Sequence, residues 1–179
     1  DLDSTRTLAV MFGGGTTAAA RSAVAEVAAR LPNAVLMGCS SAGEICADRV
    51  HDGGLTVAIA RFDGVTLRKA ALPIADSHQS RAVGQQLATM LAAPDLRAVF
   101  LLSDGLRVNG SQLAAGMNSM LPSGVVVTGG LAGDGGVGVD TGARAFRRGV
   151  VRARRQAAPH RPVRGRRREI LNRRARIGL

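Results

Sequence analysis

Three short stretches of this 179-residue chain gather small, hydroxyl-bearing and acidic residues: Gly38-Cys39-Ser40-Ser41-Ala42-Gly43-Glu44, Ser103-Asp104-Gly105 and Gly129-Gly130-Leu131-Ala132-Gly133-Asp134. Glycine lets a backbone come close to a ligand and present unhindered N–H groups, and serine adds a short hydroxyl. Glu44, Asp104 and Asp134 would supply the charge that fixes an amine or a hydroxyl. Each stretch follows an apolar run that reads as a buried strand. In open α/β sheets, ligands bind outside the carboxyl ends of strands, where such loops converge. The plainer alternative is that these glycines make tight turns and the acids cap them.

Other chemistries fit less well. The segment Gly38 to Ala42 lies one residue from a G-x-S-x-G nucleophile elbow, with Ala42 where the last glycine belongs. An elbow leads directly into a helix, whereas here the chain runs on through Asp48, His51, Asp52, Gly53 and Gly54, which read as loop. His51 and His78 could serve as bases, but their spacing ties neither to Cys39 or Ser40. A Ser/Cys hydrolase using this loop is therefore a rival to the favoured non-enzymatic reading. Gly13-Gly14-Gly15-Thr16-Thr17-Ala18 has the outline of a dinucleotide fingerprint. Gly38 and Cys39 occupy the place of the ribose-binding acid at the end of the second strand. Lys69 is the one lysine of the chain and lies far from any glycine-rich loop, which excludes a Walker-type phosphate site.

The elements that must position these stretches follow from apolar periodicity. Strands are predicted at 7–12, 34–37, 55–62, 65–72, 98–102 and 125–128, and helices at about 17–31, 77–91 and 111–121. Asp63-Gly64 signals a hairpin between the third and fourth strands. The order β-α-β-β-β-α-β-α-β, with uninterrupted apolar strands, predicts an α/β layered domain with a mixed, mostly buried sheet.

Composition divides the chain in two. Residues 1–143 hold ten basic and twelve acidic residues, whereas 144–179 hold fourteen Arg and only Glu169 as an acid. The overall net charge of +11 thus describes the carboxyl-terminal stretch alone. We expect a domain over 1–140 and an Arg-rich tail over 141–179, disordered or read out of frame, since Arg, Ala, Gly, Pro and Val without Lys is what a shifted frame of a GC-rich gene produces. Taken at face value, residues 164–176 could bind RNA or anionic lipid, which makes a nucleic-acid-binding protein the alternative function. The chain offers such a ligand little, with no Trp, no Tyr and four Phe to stack on. Cys39 and Cys46 lack CxxC spacing and read as reduced thiols of a cytoplasmic protein. No apolar run approaches the ~18 residues of a membrane span.

The motifs carry a resemblance. Pro32-Asn33-Ala34-Val35-Leu36-Met37-Gly38-Cys39-Ser40-Ser41-Ala42-Gly43-Glu44-Ile45 resembles the P-x-A-x-x-x-G-C-[ST]-[ST]-A-G-E-I segment of FIST domain proteins. Leu101-Leu102-Ser103-Asp104-Gly105-Leu106 and Val126-Val127-Thr128-Gly129-Gly130-Leu131-Ala132-Gly133-Asp134 resemble their second and third signatures, in the same order. The resemblance covers residues 5–135 and implies the amino-terminal module of a sensory domain, truncated after Ala132-Gly133-Asp134. It implies a small-molecule ligand, such as an amino acid, and a downstream signalling output domain or protein as partner. Carried over by position, the ligand-binding residues are Gly38, Cys39, Ser40, Ser41, Ala42, Gly43, Glu44, Ser103, Asp104, Gly129, Gly130, Ala132, Gly133 and Asp134. Some relatives bind haem, but no histidine of this chain matches a ligating position.

Overall fold

The computed structural model describes residues 2–14, 18–46, 48–133 and 150–155. Its elements run β1 (Thr7–Gly13), α1 (Ala18–Arg30), β2 (Val35–Ser40), β3 (Glu44–Cys46), β4 (Arg49–His51), β5 (Leu55–Arg61), β6 (Val65–Ala70), α2 (Ser80–Leu91), β7 (Leu96–Asp104), α3 (Gly110–Asn118), β8 (Val126–Ala132) and β9 (Val150–Arg155). The fold is mixed α/β, as its alternating apolar runs predict. Its strands divide between two mixed sheets rather than one, ordered β2-β1-β5 and β6-β9-β7-β8, with β3-β4 as a small separate hairpin.

The two mixed sheets face each other. Met37 and Cys39 of β2, Leu67 of β6 and Leu102 of β7 are buried in one cluster, with Val10 and Phe12 of β1 and Phe100 of β7 packed against it. Side chains alternate across a strand. Val99 and Leu101 of β7 therefore point the other way, into a second cluster with Leu87, Ala88 and Leu91 of α2 and Leu113 and Met117 of α3. Burying a side chain of this kind contributes roughly 1.5–3 kcal/mol, so an aliphatic core suffices where aromatics are scarce. α2 and α3 cover the outer face of the β6-β9-β7-β8 sheet. Lys69 Nζ of β6 also donates to the Leu36 carbonyl of β2, 3.3 Å away, which ties the sheets at their margin.

Side-chain caps begin the 3-10 turn ahead of α2 and begin α3. Asp76 begins a one-turn 3-10 helix, Ser77–Gln79, by accepting from the His78 N–H at 2.9 Å, and the chain continues into α2. Asn109 accepts from the Gln112 N–H at 3.0 Å and starts α3. The residues expected to cap α1, Thr16 and Thr17, lie outside the described residues.

Several expectations are corrected. β5 and β6 do not pair as a hairpin. Asp63-Gly64 does reverse the chain, with Gly64 at φ 69°. However, β5 pairs antiparallel with β1 from Thr7↔Arg61 to Gly13↔Leu55, while β6 pairs with β9 in the other sheet. A turn sets local direction, and the longer ladders elsewhere set the partners. The stretch 44–51, read as loop, forms the β3-β4 hairpin, in which Ile45 pairs with Val50. Gly129 to Ala132, read as a loop after the last strand, is strand: β8 runs through them in parallel register with β7, from Ala98↔Val126 to Asp104↔Ala132. Gly129, at φ 147°, is needed because a Cβ there would collide with the Leu101 carbonyl oxygen. The sheets are also more exposed than expected, since most of β8 is open to solvent. Finally, Val150–Arg155, inside the stretch assigned to a disordered tail, forms β9. Its backbone lies antiparallel between β6 and β7, with Val65↔Arg155 and Leu101↔Val150 among the pairs. Residues 141–149 and 156–179 lie outside the described residues.

Candidate functional site

A cleft of about 350 Å³ opens where the two sheets part, beside the outer strand β8. One wall is the end of β2 and the turn after it: Cys39, Ser40, Ser41 and Ala42. The other wall is Gly129, Gly130, Leu131 and Gly133, and Phe12, Phe100 and Leu102 form the apolar floor. The first and third predicted stretches are thus brought together across the gap between sheets. The volume lies in the range of small-molecule sites, and the lining combines an apolar floor with a few hydroxyls, as such sites do.

Local chemistry builds the walls. Gly38 lies so close to β1 that a Cβ would collide with the Met11 carbonyl oxygen, so β2 continues past it to Ser40 rather than ending there. The Ser41 N–H then donates to the Gly13 carbonyl at 3.1 Å. Ser41 Oγ donates to the Gly43 carbonyl at 2.6 Å and accepts from the Gly43 N–H at 3.2 Å, which holds the turn. Those bonds occupy the Ser41 hydroxyl, and Ser40, the last residue of β2, also borders the cleft.

Glu44 and Asp104 are not on the cleft lining. Glu44 is 3 % exposed, and its Oε2 accepts from the Gly54 N–H at 2.9 Å. Its Oε1 is buried and has no hydrogen-bond partner among the described residues. Asp104 Oδ1 accepts from the N–H groups of Leu106 at 2.7 Å and Arg107 at 3.0 Å, shaping the turn after β7. Ser103 faces away from the cleft because it alternates with Leu102. It lines a second cavity of about 380 Å³ between β8 and α3, with Leu113, Thr128, Gly129 and Gly130. Asp134 lies outside the described residues. Sequence reasoning missed the floor residues Phe12, Phe100 and Leu102, whose only signal was their place in apolar strands.

His51, on β4, and His78 are exposed, and neither lines the cleft or the second cavity. Among the described residues no group of three or more His, Cys, Asp or Glu could hold a metal ion. No described helix is long and apolar enough to cross a membrane.

Two facing mixed sheets, with α2 and α3 on the outer face of one and a cleft where the sheets part, define a mixed α/β domain. The comparison with protein families agrees with the motifs: the FIST N domain matches residues 7–156, and the chain belongs to that family. FIST domains are sensory modules of signal-transduction proteins. The matched span runs past residue 140 and takes in β9. The comparison with curated proteins found no match.

Proposed function

We propose that this domain is a non-enzymatic sensory input module whose small ligand lies in the cleft between the end of β2 and β8. The observation that carries the reading is the convergence of Cys39, Ser40, Ser41 and Ala42 with Gly129, Gly130, Leu131 and Gly133 on one cleft. Two motifs about ninety residues apart in sequence meet on opposite sheets, so a ligand between them would report on the spacing of those sheets. Binding would favour one of two sheet arrangements, and a downstream output domain or protein would read the difference.

An amino-acid-like ligand fits a cleft with an apolar floor, the Ser40 hydroxyl and main-chain groups at glycine. Its ammonium would need an acid, and Asp134, the residue after Gly133, is the one we assign. Glu44 and Asp104 act in this reading through the backbone they hold.

The test is the rise in melting temperature produced by a panel of free amino acids and small hydroxylated molecules. We expect at least one to stabilise the parent chain saturably, and Ser40→Ala and Asp134→Ala to weaken that effect about tenfold. Equal stabilisation of parent and both variants would remove the cleft assignment.

A further inference from the structure

β8 is the outermost strand of its sheet, paired with β7 on one side and, among the described residues, with no strand on the other. Such an edge offers a row of main-chain donors and acceptors to another chain, and proteins blunt it with Lys, Pro or bulges. β8 carries none of these. Its seven residues, Val-Val-Thr-Gly-Gly-Leu-Ala, keep an unshifted register with β7, and Val126 and Leu131 are more than half exposed.

The two cavities lie on opposite faces of this strand. The cleft is on the face of Phe100 and Leu102, and the α3-side cavity on the face of Leu101 and Ser103. Gly129, Gly130 and Leu131 border both. Successive side chains of an extended chain point to opposite faces, with a period of two. A strand laid along β8 would therefore place one side chain in the cleft and the next in the α3-side cavity, with glycines leaving room at the partition.

We propose that the free edge of β8 binds an extended, uncharged peptide segment by strand addition, its alternate side chains entering the two cavities. Main-chain hydrogen bonds supply affinity in this mode, and pockets for alternate side chains supply specificity. The described residues lining the two cavities carry aliphatic, aromatic, thiol and hydroxyl groups and no charged side chain, which suits uncharged peptide side chains. Aliphatic side chains suit Leu113, Phe100 and Leu102, and hydroxyl-bearing ones suit Ser40, Ser103 and Thr128. A second copy of β8 fits less well. In the two-fold register centred on Gly129 and Gly130, glycine meets glycine at the partition between the cavities.

This inference rests on the cleft being a ligand site and names the chemical class of its occupant. The test is binding of the full chain to an array of capped octapeptides built from Ala, Val, Leu, Ser and Thr, followed by fluorescence polarisation. We expect saturable binding in the micromolar range. It should fall at least tenfold when the peptide amides of one alternating set are N-methylated, and little when the other set is. A Cβ at Gly130 meets nothing within 4 Å, so Gly130→Val should leave the melting temperature unchanged while filling the partition and abolishing binding. Gly130→Ala provides a milder version. The proposal is overturned if no octapeptide binds below the millimolar range, or if both methylation patterns bind alike. A free small molecule that stabilises the chain when no peptide binds would leave the sensory reading standing and remove strand addition alone. A β8-dependent dimer that the peptides do not displace would assign the edge to a second copy.

Discussion

Gly84 of α2 and Gly116 of α3 each lie against the backbone of the opposite helix. A Cβ on Gly84 would collide with the Leu113 carbonyl oxygen and lie 2.9 Å from the Met117 nitrogen, and one on Gly116 would collide with the Arg81 carbonyl oxygen. Both glycines are buried. The two helices that cover the sheet thus touch main chain to main chain, and a methyl group at either point must push them apart. Gly84→Ala and Gly116→Ala are expected to destabilise the domain by about 1–3 kcal/mol each, as overpacking does. The double variant should cost less than the sum, because one displacement relieves both contacts. Urea unfolding of the three variants measures this. No loss in either single variant would mean the helices are not packed at these points.

Glu44 separates hydrogen bonding from charge. Glu44→Ala strips the acceptor from the half-buried Gly54 N–H and should cost about 1–3 kcal/mol. Glu44→Gln keeps an acceptor and removes a buried carboxylate with one unpartnered oxygen, so it should stay within about 1 kcal/mol of the parent. A Gln variant as unstable as the Ala variant would show that the charge itself is needed.

Asp104 is expected to matter through its turn. Asp104→Ala frees the N–H groups of Leu106 and Arg107 and should cost about 1 kcal/mol, while Asp104→Asn retains most of the stability. Thermal melts of the pair are sufficient, and equal loss in both would point to the carboxylate charge rather than its accepting oxygen.

β9 makes the Arg-rich stretch structural in part. A chain ending at residue 149 lacks the strand that lies between β6 and β7, and two ladders lose their partner. It should lose its cooperative unfolding transition and self-associate. A chain ending at 156, where the family match ends, should keep that transition. Circular dichroism melts with sedimentation velocity distinguish the outcomes, and a cooperative, monomeric chain of 149 residues would contradict the placement of β9.

Much of the fold was legible in sequence because buried strands announce themselves as continuous apolar runs. Thr7 to Phe12 and Ala98 to Leu102 are such runs, and each lies inside an observed strand. Pairing was less legible. Asp63-Gly64 specifies a reversal but carries no information on which ladder wins, and β5 and β6 went to different sheets. Glycine is depleted in strands, so Gly129-Gly130 read as loop, although Gly129 is what admits the Leu101 carbonyl. β9 was hidden because three of its six residues are Arg, and its placement comes from the two strands waiting on either side. The candidate site was half legible. Motif residues identified both walls of the cleft, but the side to which Ser103 points depends on strand phase, and Glu44 is committed to Gly54 by a hairpin too short to read.

The position of β9 has a consequence for how the protein is made. Val65 must find Arg155, and Leu101 must find Val150, so interior ladders of a sheet wait for the last described strand to leave the ribosome. Until then β6 and β7 emerge as two unsatisfied edges beside a seven-residue apolar neighbour, while β1, β2 and β5 already have all their partners. Synthesis from the amino end should therefore complete one sheet early and hold the other open, in the interval when such edges are most prone to pair with the wrong chain.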